Sequence, residues 1–176
     1  MFFLEKDPQQ WAIALVRVDY LSGDGELYAL PMALAPENQV DRLLHEHPQS
    51  AIAKLKIKGK PSTYLLYDAL ADPACGAALL EVMTRKRTIR GRNGQMRGMT
   101  SRAFRVLLTK NQPPPPPRVL GAEQSNTSIR FGDRLIIKLI RKLAPGVNPD
   151  LEIGRLLTEQ RFPNCAPPAG APEPRL

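Results

Sequence analysis

The stretch EQSNTSIRFGDRLIIKLIRKLAPGVNPDLEIGRLLTE, residues 123–159, carries a polar turn, a lysine inside an apolar run and a carboxylate in the first turn of a capped helix. In LIIKLI, residues 135–140, both faces of a short β-run are apolar, the pattern of a buried strand, and Lys138 sits in its middle. A buried ammonium without a partner is costly, so Lys138 is expected either to snorkel to an edge or to face an anion in a cleft. After the APG turn at residues 144–146, Asn148 as N-cap and Pro149 at the first helical position start a helix running to about Gln160, with Asp150 near its positive end. Its apolar stripe is Ile153, Leu156 and Leu157, and Glu152 falls on the margin of that stripe, where a carboxylate can reach an adjacent sheet. The spacing therefore predicts a Lys138–Glu152 ion pair.

Upstream, RVLGAEQ (residues 118–124) and SIRFG (residues 128–132) predict two strands joined by Ser125-Asn126-Thr127, a turn whose hydroxyl, amide and backbone donors suit an anion. Strand, polar turn, strand, lysine strand and carboxylate helix is the element order of the small lobe of a kinase fold. There the lysine holds the α- and β-phosphates and the helix carboxylate orients the lysine. The glycine pattern of protein kinases is absent, and QSNTS stands in its place. Taken alone, that stretch is an ordinary polar turn and Lys138 an ordinary strand-edge lysine; their conjunction gives them weight.

EQSNTS, LIIKLIRKL, PGVNPDLEIGRLLTE and RFPN together resemble the bacterial maltokinases, a family with a kinase-like fold of the aminoglycoside-phosphotransferase type. The resemblance implies a phosphate loop at Gln124, Ser125, Asn126, Thr127 and Ser128, with Lys138 as nucleotide lysine and Glu152 as its helix partner. It also implies ATP and Mg²⁺ as cofactors of the full-length enzyme, which converts maltose to maltose 1-phosphate. Trehalose synthase, fused or associated, is the partner it suggests. VRVDY, YALPMAL, LLYDALADP and TIRGRNGQMRG match the family's N-terminal cap subdomain.

At 176 residues with 43% apolar content, the chain can bury one good core or two small ones. Cys75 and Cys165 lie far apart without a CxxC, and His45 and His47 are the only histidines, so no zinc set of familiar spacing forms. No apolar run reaches the roughly 18 residues of a membrane span, and MFFLEKDPQQ lacks the features of a signal peptide. A cytoplasmic protein without a membrane contact is expected. The net charge of +8 raises the question of a polyanionic partner. Residues 85–105 alone hold eight Lys/Arg and no acid, but Phe104 is their one aromatic, which argues for a solvated hairpin face rather than nucleic-acid stacking.

In chain order, WAIALVRVDY and ELYALPMAL flank a glycine turn as a hairpin, and PENQVDRLLHEHPQS allows a short helix between Pro36 and Pro48. AIAKLKIKG and STYLLYDAL make a second strand pair, the first with Ile52, Lys54, Lys56 and Lys58 on a solvent face. Asp72 and Pro73 open a helix ending near Arg87. TIRGRNGQMRGM centres on the hairpin signal Asn93-Gly94, and SRAFRVLLTKNQ offers one more strand. Five prolines at residues 113–117 form a stiff polyproline II segment.

The expected fold class is α+β: an antiparallel sheet with helices over residues 1–112, a linker at 113–117, and part of a kinase-like or aminoglycoside-phosphotransferase-like N-lobe over 118–176, whose last stretch, FPNCAPPAGAPEPRL, adds no element. A kinase of this fold needs a catalytic-loop Asp and a second Asp for Mg²⁺. No Asp here precedes Phe, there is no HGD, and after Glu152 the only acids are Glu159 and Glu173. The chain is therefore expected to be an N-terminal portion of the enzyme, inactive without the large lobe. The alternative from another class is a non-catalytic module binding a polyanion or nucleic acid through residues 85–105.

Overall fold

The computed structural model describes residues 1–6, 9–92, 94–101, 104, 114–120, 126–146, 148–160, 162–163, 168 and 170–175. It is an α+β fold in which all strand pairs are antiparallel and three α-helices stand among the described residues. Strands β1 (Phe2–Lys6), β2 (Gln9–Val18) and β3 (Glu26–Pro36) form a meander. Helix α1 (Glu37–Glu46) follows directly, with Pro36 as its N-cap. Strands β4 (Ala51–Lys56) and β5 (Thr63–Asp68) pair through a register shift between Ala51 and Ala53. Asp72 caps helix α2 (Pro73–Thr84), its carboxylate accepting from the Ala74 amide at 2.9 Å, as the Asp-Pro signal predicts. The hairpin β6 (Thr88–Gly91) and β7 (Gly94–Thr100) comes next; Asn93 lies outside the described residues.

Beyond the prolines are β8 (Pro117–Val119), β9 (Asn126–Phe131), β10 (Leu135–Ile140), the two-residue β11 (Lys142–Leu143), helix α3 (Pro149–Glu159) and β12 (Gly170–Arg175). The large sheet has the order β12-β7-β6-β1-β2-β3-β5-β4, with β11 on the remaining edge of β3; β10-β9-β8 make a second, three-stranded sheet.

Helix α2 sits between the two sheets. Seven of its twelve residues are buried, more than one face can account for, so it must be covered on two sides. It meets β7 and β1 of the large sheet and β8 of the small one. The core accordingly joins Phe2, Trp11, Leu65 and Leu80 to Ile129, Phe131 and Ile137. Residues 113–117 thus connect two sheets that share one hydrophobic core. No helix among the described residues is long and apolar enough to cross a membrane.

Several expectations are corrected. The stretch after α3 does contain an element: β12 pairs with β7 from Gly170↔Thr100 to Arg175↔Gln95. Its Pro172 and Pro174 have the same parity, so both missing N–H groups fall on one side of the strand, which an edge strand tolerates. The strand at the start of the chain, β1, carries no turn or cap signal that marks it. The strand expected over residues 101–112 lies outside the described residues apart from Ser101 and the buried Phe104. On α3, Ile153 and Leu156 are each 55% exposed, whereas Leu151, Gly154 and Leu157 face inward. Gly154 lies on the inward side, where a Cβ would meet Pro168 at 3.5 Å, an ordinary van der Waals contact.

The tightest approach is at Gly98. A Cβ there would lie 2.8 Å from Met83 Cα and collide with the Val82 carbonyl, so β7 can lie against α2 only with glycine at this position. Gly98→Ala should destabilise the chain by about 1–3 kcal/mol in urea denaturation, because the obstruction is helix backbone and cannot rotate away. An effect under about 0.5 kcal/mol would show that β7 is free to move off α2.

Candidate functional site

The region singled out by sequence is the β9–β10 hairpin with α3. Its register sets which residues can act together: Lys138 pairs with Ser128, Leu139 with Thr127 and Ile140 with Asn126. Cross-strand partners share a face. Ser128, Lys138 and Asn126 therefore lie on the outer side of the hairpin, and Thr127, Ile129 and Ile137 on the core side.

Two features of the predicted phosphate loop change. Asn126 and Thr127 are strand residues, not the turn between strands, since both pair with β10. Thr127 is 2% exposed, and its Oγ1 accepts from Arg141 Nε at 2.8 Å. A β-branched residue on the inward side of a hairpin is drawn into the sheet rather than left in a loop. Gln124 and Ser125 lie outside the described residues.

Lys138 is not enclosed. Ile136 beside it is 58% exposed, so β10 has one buried face and one open one, and the lysine side chain is 47% exposed. Its Nζ meets Asp150 Oδ2 at 3.3 Å. The partner is thus Asp150 rather than Glu152. Two helical positions separate these acids, about 200° of rotation, so a strand can reach only one of them. Asn148 Oδ1 accepts from the Asp150 amide at 2.9 Å, making the predicted cap and holding Asp150 in the first turn, where a negative charge is favoured. Glu152 is exposed on the far side.

Two further polar clusters tie this region to the large sheet. Arg141 reaches Asp68 Oδ2 at 2.5 Å, with side-chain exposures of 17% and 22%, and Asp68 Oδ1 also accepts from the Leu70 amide at 3.0 Å. The next residue, Lys142, donates to Glu26, which also accepts from the hydroxyls of Tyr20 (2.9 Å) and Tyr28 (2.5 Å). The Lys142 hydrogen bond and the two tyrosines hold the Glu26 carboxyl down at about 2, while Lys142 and Tyr28 titrate above their ordinary values because each bonds to that carboxylate. Spacing had no access to either cluster, since the partners lie far apart in sequence. Near them, burial pushes the Cys75 thiol up to about 12, which removes it as a nucleophile.

The basic run over residues 85–105 is divided. Arg85 and Arg87 both turn to Glu81, at 3.2 and 3.9 Å, while Arg90 and Arg97 are exposed on the sheet. No protein-family model matches the chain.

Two outcomes are expected. Arg141→Met leaves the Asp68 carboxylate half-buried without its cation, and should lower stability by about 2–4 kcal/mol in urea denaturation; a loss below about 0.5 kcal/mol would class the pair with surface contacts. For Glu26, the folded pKa lies below the unfolded one, so its contribution is fully present above about 4.5 and is lost as pH falls through about 2. Glu26→Gln should flatten the pH dependence of the melting temperature within that window, and an unchanged slope would show that the cluster does not tie β11 to β3.

Proposed function

We propose that this chain is the cap subdomain and the opening of the small lobe of a cytoplasmic kinase of the maltokinase type, which transfers phosphate from ATP to maltose. The observation that carries the reading is the Lys138–Asp150 pair at 3.3 Å, a strand lysine held by a carboxylate in the first turn of the following helix. That is the arrangement by which a kinase small lobe aims its lysine at nucleotide phosphates. It supports the reading together with the sequence resemblance over residues 123–159.

The residues fit an anion on one side only. Lys138 can offer its ammonium and Ser128, directly opposite, its hydroxyl. Thr127 cannot contribute its side chain, which is buried and bonded to Arg141. Gln124 and Ser125 belong to the same proposed loop, with Asn126 on the Ser128 side. ATP with Mg²⁺ supplies the transferable phosphoryl group; Lys138 would hold the phosphates, Ser128 would donate a hydrogen bond, and Asp150 would fix the lysine. No residue of this chain is assigned as general base or Mg²⁺ ligand, so those groups, and the maltose site, fall to a large lobe. Trehalose synthase is the partner the resemblance suggests.

The test is made in a complete enzyme containing this chain, with maltose, ATP and Mg²⁺. Lys138→Met removes a contact worth roughly 1.5–3 kcal/mol and should slow phosphate transfer at least about tenfold with little change in maltose affinity. Asp150→Asn should be more damaging than Glu152→Gln. A Lys138→Met enzyme within about a factor of two of the parent would withdraw the small-lobe assignment. The chain by itself should form no maltose 1-phosphate, and turnover that survived repurification would contradict the proposal.

A further inference from the structure

Helix α3 is loosely seated: none of its eleven residues is buried. Beside the contact of Gly154 with Pro168, the helix turns Leu151 and Arg155, four positions apart and so on one side, toward the place where β7 ends at Thr100 and β12 begins at Gly170. The surfaces do not close. They leave a hollow of about 110 Å³, lined by Met99, Thr100 and Ser101 from the strand end, Leu151 and Arg155 from the helix, and Pro168.

Met99, Leu151 and Pro168 make most of the lining apolar, and its polar side chains are all of one kind. Thr100 has a hydroxyl without a partner among the described residues. Ser101 Oγ already accepts from the Phe104 amide at 3.4 Å, which leaves its own O–H to give. Arg155 makes a contact of its own, but a guanidinium has five N–H donors to divide. No carboxylate stands among the lining residues. Donors alone call for an acceptor, and beside a guanidinium the strongest acceptor is an anion. Inorganic phosphate or sulfate would answer the donors but leave the apolar lining against water, so the anion that fits is a carboxylate with an apolar body.

Volume limits the body. A cavity of about 150 Å³ holds benzene, so this smaller hollow takes about four or five carbons. We propose that it binds a small free monocarboxylate with a compact apolar body of that size, the carboxylate held by Arg155, Thr100 and Ser101 and the body by Met99, Leu151 and Pro168. A peptide's C-terminal carboxylate offers the same chemistry but brings an amide that the hollow has no room for. The walls come from α3 on one side and from β7 on the other, so the occupant joins them. The helix it steadies is the one that carries Asp150, the partner of Lys138. The binding itself does not rest on the kinase reading.

The test titrates the purified full chain with isovalerate, read by calorimetry and by hydrogen exchange of the α3 amides. Isovalerate is expected to saturate with a Kd of about 1 mM or lower, at least about tenfold tighter than acetate, which lacks the body, and than 3-methylbutanol, which lacks the charge. Exchange over residues 151–159 should slow on binding. Leu151→Trp fills the hollow from the helix and should weaken isovalerate at least about tenfold. Arg155→Gln should weaken it as much while leaving 3-methylbutanol unchanged, and it serves alone where Leu151→Trp disturbs folding. Absence of saturation below about 20 mM would overturn the proposal. So would acetate or 3-methylbutanol binding as tightly as isovalerate, N-acetylvaline binding more tightly, or parental affinity in the folded variants.

Discussion

A helix buried on more than one side cannot end a fold; it requires a second layer. Helix α2 imposes that requirement here, and the small sheet answers it. Small residues set the distance. A Cβ at Gly76 would stand 3.2 Å from Ile129 and 3.3 Å from Pro117, and Gly98 admits the helix backbone from the other sheet. Removing β8 and β9 would uncover the side of α2 at Gly76, which lies against Ile129 and Pro117, so the strands after the prolines are bound to the N-terminal sheet by the hydrophobic term itself.

Two consecutive residues then lock the passage from one sheet to the other. Arg141 turns to Asp68 and Thr127, and its carbonyl accepts from the Ala29 amide at 2.7 Å. Lys142, pointing the opposite way as neighbours on a strand must, closes the Glu26 cluster. A strand of only two residues, β11, is long enough because Lys142 within it and Arg141 just before it each anchor a different part of the large sheet.

What sequence disclosed and what it concealed follow the range of each signal. The Asp72-Pro73 and Asn148-Pro149 caps are local hydrogen bonds, and both helices start where these residues place them. The β2–β3 hairpin and the helix between Pro36 and Pro48 were legible for the same reason. The partner of Lys138 was not, because choosing between Asp150 and Glu152 needs the helix's rotation about its axis, which spacing along the chain does not fix. The same rotation explains why Ile153 and Leu156, apolar and correctly spaced, face water. Thr127 seemed a turn residue by composition and proved a strand residue by its inward side chain. β12 was hidden by prolines that only an edge position permits. The Arg141–Asp68 pair, 73 positions apart, has no local trace at all.

The two ion pairs at either end of this hairpin region differ in what they can give up. Arg141 and Asp68 are mostly shielded, so separating them strands a carboxylate in a low-dielectric setting. Lys138 and Asp150 are 47% and 67% exposed, in a range where water and salt reduce a pair to about 0–1 kcal/mol. An anion arriving at Lys138 would therefore displace or share the Asp150 contact at little expense to the fold, whereas one competing for Arg141 would have to open the joint between the sheets. A ligand-exchanging cation has to be one the fold can spare. On this hairpin Lys138 and Arg130, at 47% and 48% exposure, are cations the fold can spare, whereas the shielding of Arg141 commits it to structure.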